Sequence, residues 1–340
     1  MNDLRVALLG YGMAGREFHA PLLREVAGAR ITHVVTGDAE RAEAARAENP
    51  GVTVLPEPDA LWQLAGRLDV VVVASPSGAH AAQAREAVRR DLAVVVDKPL
   101  AVSAADARDL VDLAEERGVP LTVFQNRRWD PAHLTTRTVL SSGALGEVVR
   151  YEARYERWRP VPKDRWREQV PSEQGGGLLM DLQTHLVDSA LDLFGPVSTV
   201  YAELAALTTV SDDVSFLALR HVSGVVSHLG ATSLAAVPGP HTRLLGREAA
   251  YLVAAVEGEL TPCEDWDDED AEHRGWLVRG EEREAVPRAP GGWVDFYVAL
   301  VEALREGSTL PVDPREAVAV LAILDAARIS ARDGVVVDVP

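Results

Sequence analysis

The chain has 340 residues, 47% hydrophobic and 25% charged, with a formal net charge of -18. That length predicts two domains of ordinary globular composition, and the acidic balance excludes nucleic acid and anionic membrane surfaces as partners. Cys263 is the only cysteine, which rules out an internal disulfide and a multi-cysteine metal site; with no apolar run of the ~18 to 20 residues that span a bilayer and no secretory leader pattern, the chain is expected to be cytoplasmic.

In chain order, short Val/Ala/Leu runs alternate with helical patterns, as in βαβ units built on a parallel sheet buried on both faces. Strands are predicted at Arg5–Leu9, Ile31–Val35, Val52–Leu55, Val70–Ala74, Ala93–Val96 and Leu121–Phe124. Helices are predicted between them at Arg16–Val26, Ala39–Glu48, Ala79–Arg90 and Ala104–Arg117; Ser103 is a good N-cap for the last, and Gly118 with Pro120 a clear stop. This gives an α/β N-terminal Rossmann domain, a doubly wound parallel sheet over residues 1–124. From 125 to 340 the pattern becomes α+β. Helices are predicted at Arg128–Ser142, Leu178–Phe194, Trp293–Arg305 and Pro314–Asp333. Strands are predicted at Val148–Trp158, Thr199–Leu207, Val214–Val222, Val225–Thr232, His241–Leu245 and Ala250–Val256. Strand following strand through turns such as Ser223-Gly224 implies a large, open, mostly antiparallel sheet. The acidic run Glu264–Asp270 reads as a solvated loop.

The first motif is Gly10-Tyr11-Gly12-Met13-Ala14-Gly15, a G-x-G-x-x-G between a strand and a helix. The first glycine permits the tight turn, the second lets a pyrophosphate approach the backbone, and the third lets helix and strand pack closely, with the phosphates at the helix N-terminus. Met13 and Ala14 fall in the same cofactor-binding turn. The end of the second strand selects the cofactor, since a carboxylate there bonds the ribose hydroxyl of NAD and repels the 2′-phosphate of NADP. Here Thr36 is neutral and Arg41 can pair with phosphate, which favours NADP, while Asp38 keeps NAD open. Ser75-Pro76 follows the fourth strand, and together with His80 on the next helix it is placed beside the cofactor; Ser77 reads also as a helix cap.

Of the 34 lysine and arginine residues only Lys98 and Lys163 are lysines. Lys98 sits in Asp97-Lys98-Pro99, at the end of the fifth strand, where an ammonium can donate to a substrate hydroxyl or exchange a proton with it; arginine could do only the first. Asp97 and Lys98 are also expected to border the cofactor. Further on, Gly175-Gly176-Gly177 precedes Asp181 and His185, which are i and i+4 on a helix and share a face. A histidine titrating near neutrality can take an alcohol proton, and a neighbouring carboxylate orients it. Asp188, one turn on, is placed to support the pair. Two such residues lack a third metal ligand, so no metal is expected. Asn126, Arg128, Trp158, Trp166 and Arg167 form an arginine and aromatic set suited to a polyhydroxylated ligand and equally to a subunit interface.

With these residues in place, the chain resembles the Gfo/Idh/MocA oxidoreductases, the glucose-fructose oxidoreductase and inositol dehydrogenase family, over essentially its whole length. The resemblance is carried by the glycine turn, Ser75-Pro76, Asp97-Lys98-Pro99 and Asp181-x-x-x-His185; Phe124–Asp130, Arg157–Pro160 and Arg165–Glu168 are most similar to the NADP-preferring scyllo-inositol dehydrogenase branch. It implies hydride exchange between a nicotinamide and a secondary alcohol or ketone carbon of a cyclic polyol or sugar. In that scheme His185 is the proton acceptor, Asp181 its partner and a substrate ligand, and Lys98 the donor to the reacting oxygen. It also implies homodimers or homotetramers formed through the second domain's sheet. Asp97 departs from the family's usual glutamate, and Gln183 from a frequent glycine that lets substrate approach, a departure that bears on substrate identity more than on chemistry. Two other classes stay open on this scaffold. One is a non-catalytic NAD(P)-sensing regulator, against which the presence of Lys98, Asp181 and His185 argues. The other is an enzyme that eliminates or hydrolyses a glycoside by transient oxidation.

Overall fold

In the computed structural model, which describes residues 3–254 and 272–339, the chain divides into two units, Met1–Asn126 with Gly292–Leu321, and Arg127–Gly291 with Ala322–Pro340. Cys263 and the run Glu264–Asp270 lie outside the described residues.

The first unit is built on six strands: β1 (Leu4–Leu9), β2 (Ala29–Val35), β3 (Thr53–Leu55), β4 (Val70–Val73), β5 (Ala93–Asp97) and β6 (Leu121–Phe124). All neighbours are parallel, in the order β3-β2-β1-β4-β5-β6. Every residue of β4 and β5 is buried, as a sheet covered on both faces requires. The crossovers are α1 (Ala20–Glu25, entered through a π-wound stretch Ala14–His19), α2 (Ala39–Glu48), α3 (Pro58–Trp62), α4 (His80–Val88) and α5 (Ala104–Arg117). Ser103 Oγ accepts from Asp106 N at 3.1 Å at the start of α5, and Gly118 ends it in the left-handed region, as the sequence predicts. Leu9 pairs with both Val35 and Val73, Val73 with Val96, and Asp97 with Phe124. Gly10, Thr36, Ala74, Lys98 and Gln125 therefore leave the sheet along one edge. The chain reverses its winding direction between β1 and β4, the place where such sheets take a ligand.

The sequence places a single break at 124/125, but the structure returns the chain to the first unit. In α9 (Val294–Glu306), Phe296 packs edge-on against Phe124, with ring centroids 4.9 Å apart, and Arg305 Nη2 donates to Gly28 O at 2.9 Å. Thr122 Oγ1 donates to Val312 O, and Arg315 at the start of α10 (Pro314–Asp333) pairs with Asp112 and Glu115. These contacts join residues far apart in sequence, up to 277 positions for Arg305 and Gly28, and no local pattern announces them.

The second unit holds α6 (Pro131–Ser141), β7 (Val148–Glu156), α7 (Trp166–Gln169) and α8 (Thr184–Phe194), followed by β8 (Val197–Ala205), β9 (Val214–His221), β10 (Val226–Thr232), β11 (Thr242–Gly246), β12 (Ala250–Val253), β13 (His273–Arg279), β14 (Glu282–Pro287) and β15 (Val337–Asp338). Its nine strands run in the order β14-β13-β12-β11-β7-β10-β9-β8-β15. Every neighbouring pair is antiparallel except β7 and β10, because the chain reaches β10 only after α8 and the β8–β9 pair. Along β9 and β10 side chains alternate between buried and half-buried, the signature of a sheet covered on one face. The predicted strand Ala250–Val256 ends at Val253, and its residues 255–256 lie outside the described ones. Among the described residues no helix is long and apolar enough to cross a membrane.

Candidate functional site

Gly10, Gly12 and Gly15 carry three different constraints. Gly10 has φ +100°, and a Cβ on it would lie 2.6 Å from Ala74 O; a Cβ on Gly15 would overlap Gly10 O. The turn therefore grips the end of β4 on one side and its own helix on the other. A Cβ on Gly12 would meet nothing nearer than Arg41 Nη1 at 3.9 Å, so the face above it is open. Tyr11 is turned inward, its hydroxyl donating to Glu48 Oε2 at 2.7 Å and accepting from Asn49 Nδ2 at 2.8 Å, while Glu48 Oε1 also accepts from Arg16 Nε at 2.8 Å. Met13 is 45% exposed and Ala14 half-buried at the start of the helix. An open backbone face at a helix N-terminus fits a pyrophosphate, and the close packing of Gly10 and Gly15 holds that face in place.

At the end of β2, Asp38 Oδ1 accepts from Arg41 N at 2.9 Å, capping α2, and Asp38 N donates to Thr36 Oγ1 at 3.4 Å. The carboxylate is thus engaged with its own helix. The Arg41 guanidinium instead reaches back toward Gly12.

The turns after β4 and β5 are tied together by His80. Its Nε2 lies 2.7 Å from Ser75 O and its Nδ1 2.7 Å from Pro99 O, so both ring nitrogens are committed to backbone carbonyls. Ser75 Oγ donates to Gln83 Oε1 at 2.7 Å, Pro76 leads into α4, and Lys98 N donates to Asp97 Oδ1 at 2.9 Å. Lys98 is 8% exposed. Beneath this edge lies a group that sequence reading missed, His19. It is fully buried, with Nδ1 hydrogen-bonded to the Tyr297 hydroxyl at 2.6 Å and Nε2 3.9 Å from Asp97 Oδ1. Burial lowers its pKa to about 4, so the ring is neutral near pH 7. Asn126 is nearly buried where β6 gives way to the next turn.

In the second unit, the helix that carries Asp181 and His185 opens with a π-wound turn, Leu179–Gln183, before α8. Both motif helices, this one and the one after Gly15, thus begin with the wide turn that often marks a functional site. The triple glycine has a steric reason: a Cβ on Gly176 would overlap Val170 O, and one on Gly177, at φ +86°, would overlap Asp212 Oδ1. Asp181 lies 3.5 Å from Arg167 Nε, and that guanidinium stacks 4.9 Å from the Trp166 ring. Arg165, Arg167, Asp181, Thr209 and Ser233 border one small cavity. His185 is 8% exposed on the same helix.

Asp188 does not pair with His185 as the spacing suggests. It forms a buried bidentate pair with Arg128, at 2.9 Å from Nε and 2.7 Å from Nη2, and the next acid on that face, Asp192, meets His133 Nε2 at 2.7 Å. Arg128 is thereby engaged as a strut. Trp158 is 57% exposed and bridges to Leu234, away from the cavity's lining. Gln183 is completely buried and turned down onto the sheet, where its Nε2 reaches Ser215 Oγ and Leu229 O, both at 3.2 Å. The sequence reading of Gln183 as a modulator of substrate approach is therefore corrected: the amide anchors the helix to β9 and β10.

Residues 4–125 match the model of the GFO_IDH_MocA oxidoreductase family, NAD-binding Rossmann fold, and residues 133–252 that of the GFO/IDH/MocA C-terminal domain. The chain is 34% identical to the uncharacterized oxidoreductase YdgJ of Escherichia coli over 95% of each sequence. It is 30% identical to the scyllo-inositol 2-dehydrogenase (NADP(+)) IolW of Bacillus subtilis, over 98% of this chain and 95% of that one. Among solved structures, the WlbA dehydrogenase of Bordetella pertussis in complex with NADH and UDP-GlcNAcA superposes with a TM-score of 0.80 at 26% identity, covering 100% of this chain and 99% of that one. With a dinucleotide turn that fits its cofactor and family matches across both halves, the chain belongs to the Gfo/Idh/MocA oxidoreductases, as an NAD(P)-dependent dehydrogenase acting on CH–OH groups.

Proposed function

We propose that the protein is an NADP-preferring dehydrogenase that oxidises a secondary alcohol of a cyclic polyol or sugar, or reduces the matching ketone, in the cytoplasm. The observation that carries the cofactor preference is Arg41: its guanidinium leans over the open face of Gly12, while the nearby carboxylate of Asp38 is occupied as a helix cap. A cation at that position favours a 2′-phosphate, and the capping bond turns one oxygen of the Asp38 carboxylate toward its own helix. The substrate class is supported by the 30% identity to a scyllo-inositol dehydrogenase and by a cavity that joins guanidinium, carboxylate and hydroxyl groups at Arg167, Asp181, Thr209 and Ser233.

Bound nicotinamide would supply the hydride acceptor for the carbon's C–H, or the donor in reverse. In this scheme His185 takes the proton of the substrate hydroxyl, and Asp181 hydrogen-bonds a substrate hydroxyl and orients the imidazole. Lys98 donates to the reacting oxygen and lowers the cost of its developing charge. Gly10, Gly12, Met13, Ala14 and Gly15 would hold the pyrophosphate, Ser75 and Pro76 would border the cofactor, and His80 would fix the spacing between that turn and Lys98. Asn126, Trp166 and Arg167 would contact the polyol, with Arg128 supporting them through Asp188. Subunits would pair through the half-buried face of the nine-stranded sheet around Phe216 and His228, whose rings lie 5.8 Å apart.

The test is a spectrophotometric screen of inositols and aldoses with NAD and NADP separately, run on wild type, Lys98→Ala and His185→Ala. Each variant should lose roughly 100- to 10,000-fold in turnover, the usual contribution of a positioned proton-transfer group, while binding the cofactor normally. Undiminished turnover in either variant would remove that residue from the chemistry.

A further inference from the structure

Asp212 is a residue that no sequence motif singles out, placed between β8 and β9 in the segment Ser211-Asp212-Asp213. Its main-chain oxygen accepts from Leu178 N at 2.9 Å, and its carboxylate Oδ2 accepts from Leu179 N at 2.7 Å. Those are the amides at the head of the π-wound turn that carries Asp181. The neighbours reinforce the bracket: Ser211 Oγ donates to Val170 O, and Asp213 accepts from the amides of Leu207 and Thr208, both at 2.8 Å. Gly177 is required for this seat, because any side chain there would overlap Asp212 Oδ1. The carboxylate borders the small cavity shared with Arg167 and Asp181, and also a cleft of about 340 Å³ reached by Arg328.

We propose that Asp212 is a positioning residue: as a carboxylate it holds the first turn of the Asp181/His185 helix taut through charge-assisted bonds to its leading amides, and on protonation that hold slackens. The inference rests on the reading of Asp181 and His185 as the groups that handle substrate. An ionised acceptor at a helix N-terminus makes shorter and stronger bonds than a neutral one. Asp212 is 8% exposed, and burial pushes its carboxyl up to about 6, against the opposing pull of the Leu179 amide and Arg328. Other charged groups around the two cavities are Arg165, Arg167 and Glu168 beside α7, Asp181 on the π turn, Glu173 ahead of the glycines, and Asp213 next in chain. Asp213 already accepts from Leu207 N, Thr208 N and Thr208 Oγ1.

The sign of the linkage separates this role from a merely structural one. A carboxyl whose folded pKa lies above its unfolded value loses stability as pH rises between the two, so the ionised form near pH 7 is kept at a cost to the fold. A residue retained at such a cost is expected to repay it in activity. Asp212→Asn keeps an oxygen for Leu179 N and removes the charge. Measured with saturating cofactor, it should have a higher Tm than wild type at pH 7.5 and a clearly smaller excess at pH 4.5, while its kcat at pH 7.5 falls three- to tenfold with the cofactor Kd unchanged. Below pH 5 the two proteins should converge in kcat. Asp212→Ser, with an uncharged acceptor of a different shape, should shift kcat in the same direction if the amide variant fails to fold. His185→Ala is run alongside. If it loses turnover while Asp212→Asn matches wild type at every pH, or loses both Tm and kcat at pH 7.5, the positioning role is overturned. If His185→Ala keeps full turnover, the reading beneath the proposal falls, and the proposal with it.

Discussion

Substituting alanine at Gly12 and at Gly15 adds the same methyl group three residues apart and should produce opposite failures. At Gly15 the new carbon would overlap Gly10 O, and Gly10 cannot retreat, since a Cβ on it would already lie 2.6 Å from Ala74 O at the end of β4. The helix must shift off the sheet, and overpacking of this kind costs about 1–3 kcal/mol or more. At Gly12 the methyl enters open space, 3.9 Å from the Arg41 guanidinium, at a backbone conformation outside the left-handed region. There alanine costs nothing in the fold and, by narrowing the unfolded ensemble, stabilises by about 0.4–1 kcal/mol. In the proposed binding mode that space receives the pyrophosphate, so cofactor affinity should fall at least tenfold, which is about 1.4 kcal/mol. Thermal unfolding without cofactor and a fluorescence titration with NADP read the two effects separately. The expected result is a Tm within a degree or two of wild type, or above it, with weak binding for Gly12→Ala, and a Tm lowered by several degrees for Gly15→Ala. If Gly12→Ala bound NADP within twofold of wild type, the open face would not be the pyrophosphate's approach.

The Arg128–Asp188 pair has side chains only 10% and 1% exposed. Arg128→Met leaves a buried carboxylate unpaired and should cost about 3–5 kcal/mol in urea unfolding, whereas Arg128→Met with Asp188→Leu should recover most of that loss; equal destabilisation of the two variants would show that the arginine acts through packing alone. His19 predicts an acid limb of stability. Its folded pKa of about 4 lies below the ordinary 6.5, so the unfolded chain takes up a proton first as pH falls, and stability drains away between pH 6.5 and 4. Between pH 7 and 5 this amounts to about 2 kcal/mol of unfolding free energy. His19→Phe, whose ring can replace the contact with Phe124, should flatten that slope, and an unchanged slope would assign the acid sensitivity elsewhere.

What was legible in the sequence was whatever has a local pattern. Short apolar runs marked all six strands of the first sheet, those of β4, β5 and β6 buried throughout, and Leu121–Phe124 and Ala104–Arg117 coincide with the observed elements to the residue. β14 left no such mark, because Glu282-Arg283-Glu284-Ala285-Val286-Pro287 is exposed along almost its whole length and shows no alternation. The return of α9 to the first unit was hidden for a different reason: it depends on Phe296 meeting Phe124 and Tyr297 meeting His19, contacts with no periodicity to reveal them.

The same division runs through the candidate site. Lys98, Asp181, His185 and the glycine turn stand in short recognisable strings, each at a strand end or on one helix face. His80, Arg128 and Gln183 were visible as residue types, but their tasks were not. Each has its polar atoms on partners 5 to 60 positions away: Ser75 and Pro99, Asp188, and Ser215 with Leu229. His19 and Asp212 were missed outright, one a lone histidine in a helix and the other an aspartate in a turn. Gly175–Gly177 shows how the two levels meet. The glycines were noticed because they precede Asp181, yet their necessity lies in Val170 O and Asp212 Oδ1, which leave no room for a side chain. A motif glycine thus points to a second residue that crowds it, and looking for that residue at Gly177 is what brings Asp212, and with it the control of the helix, into view.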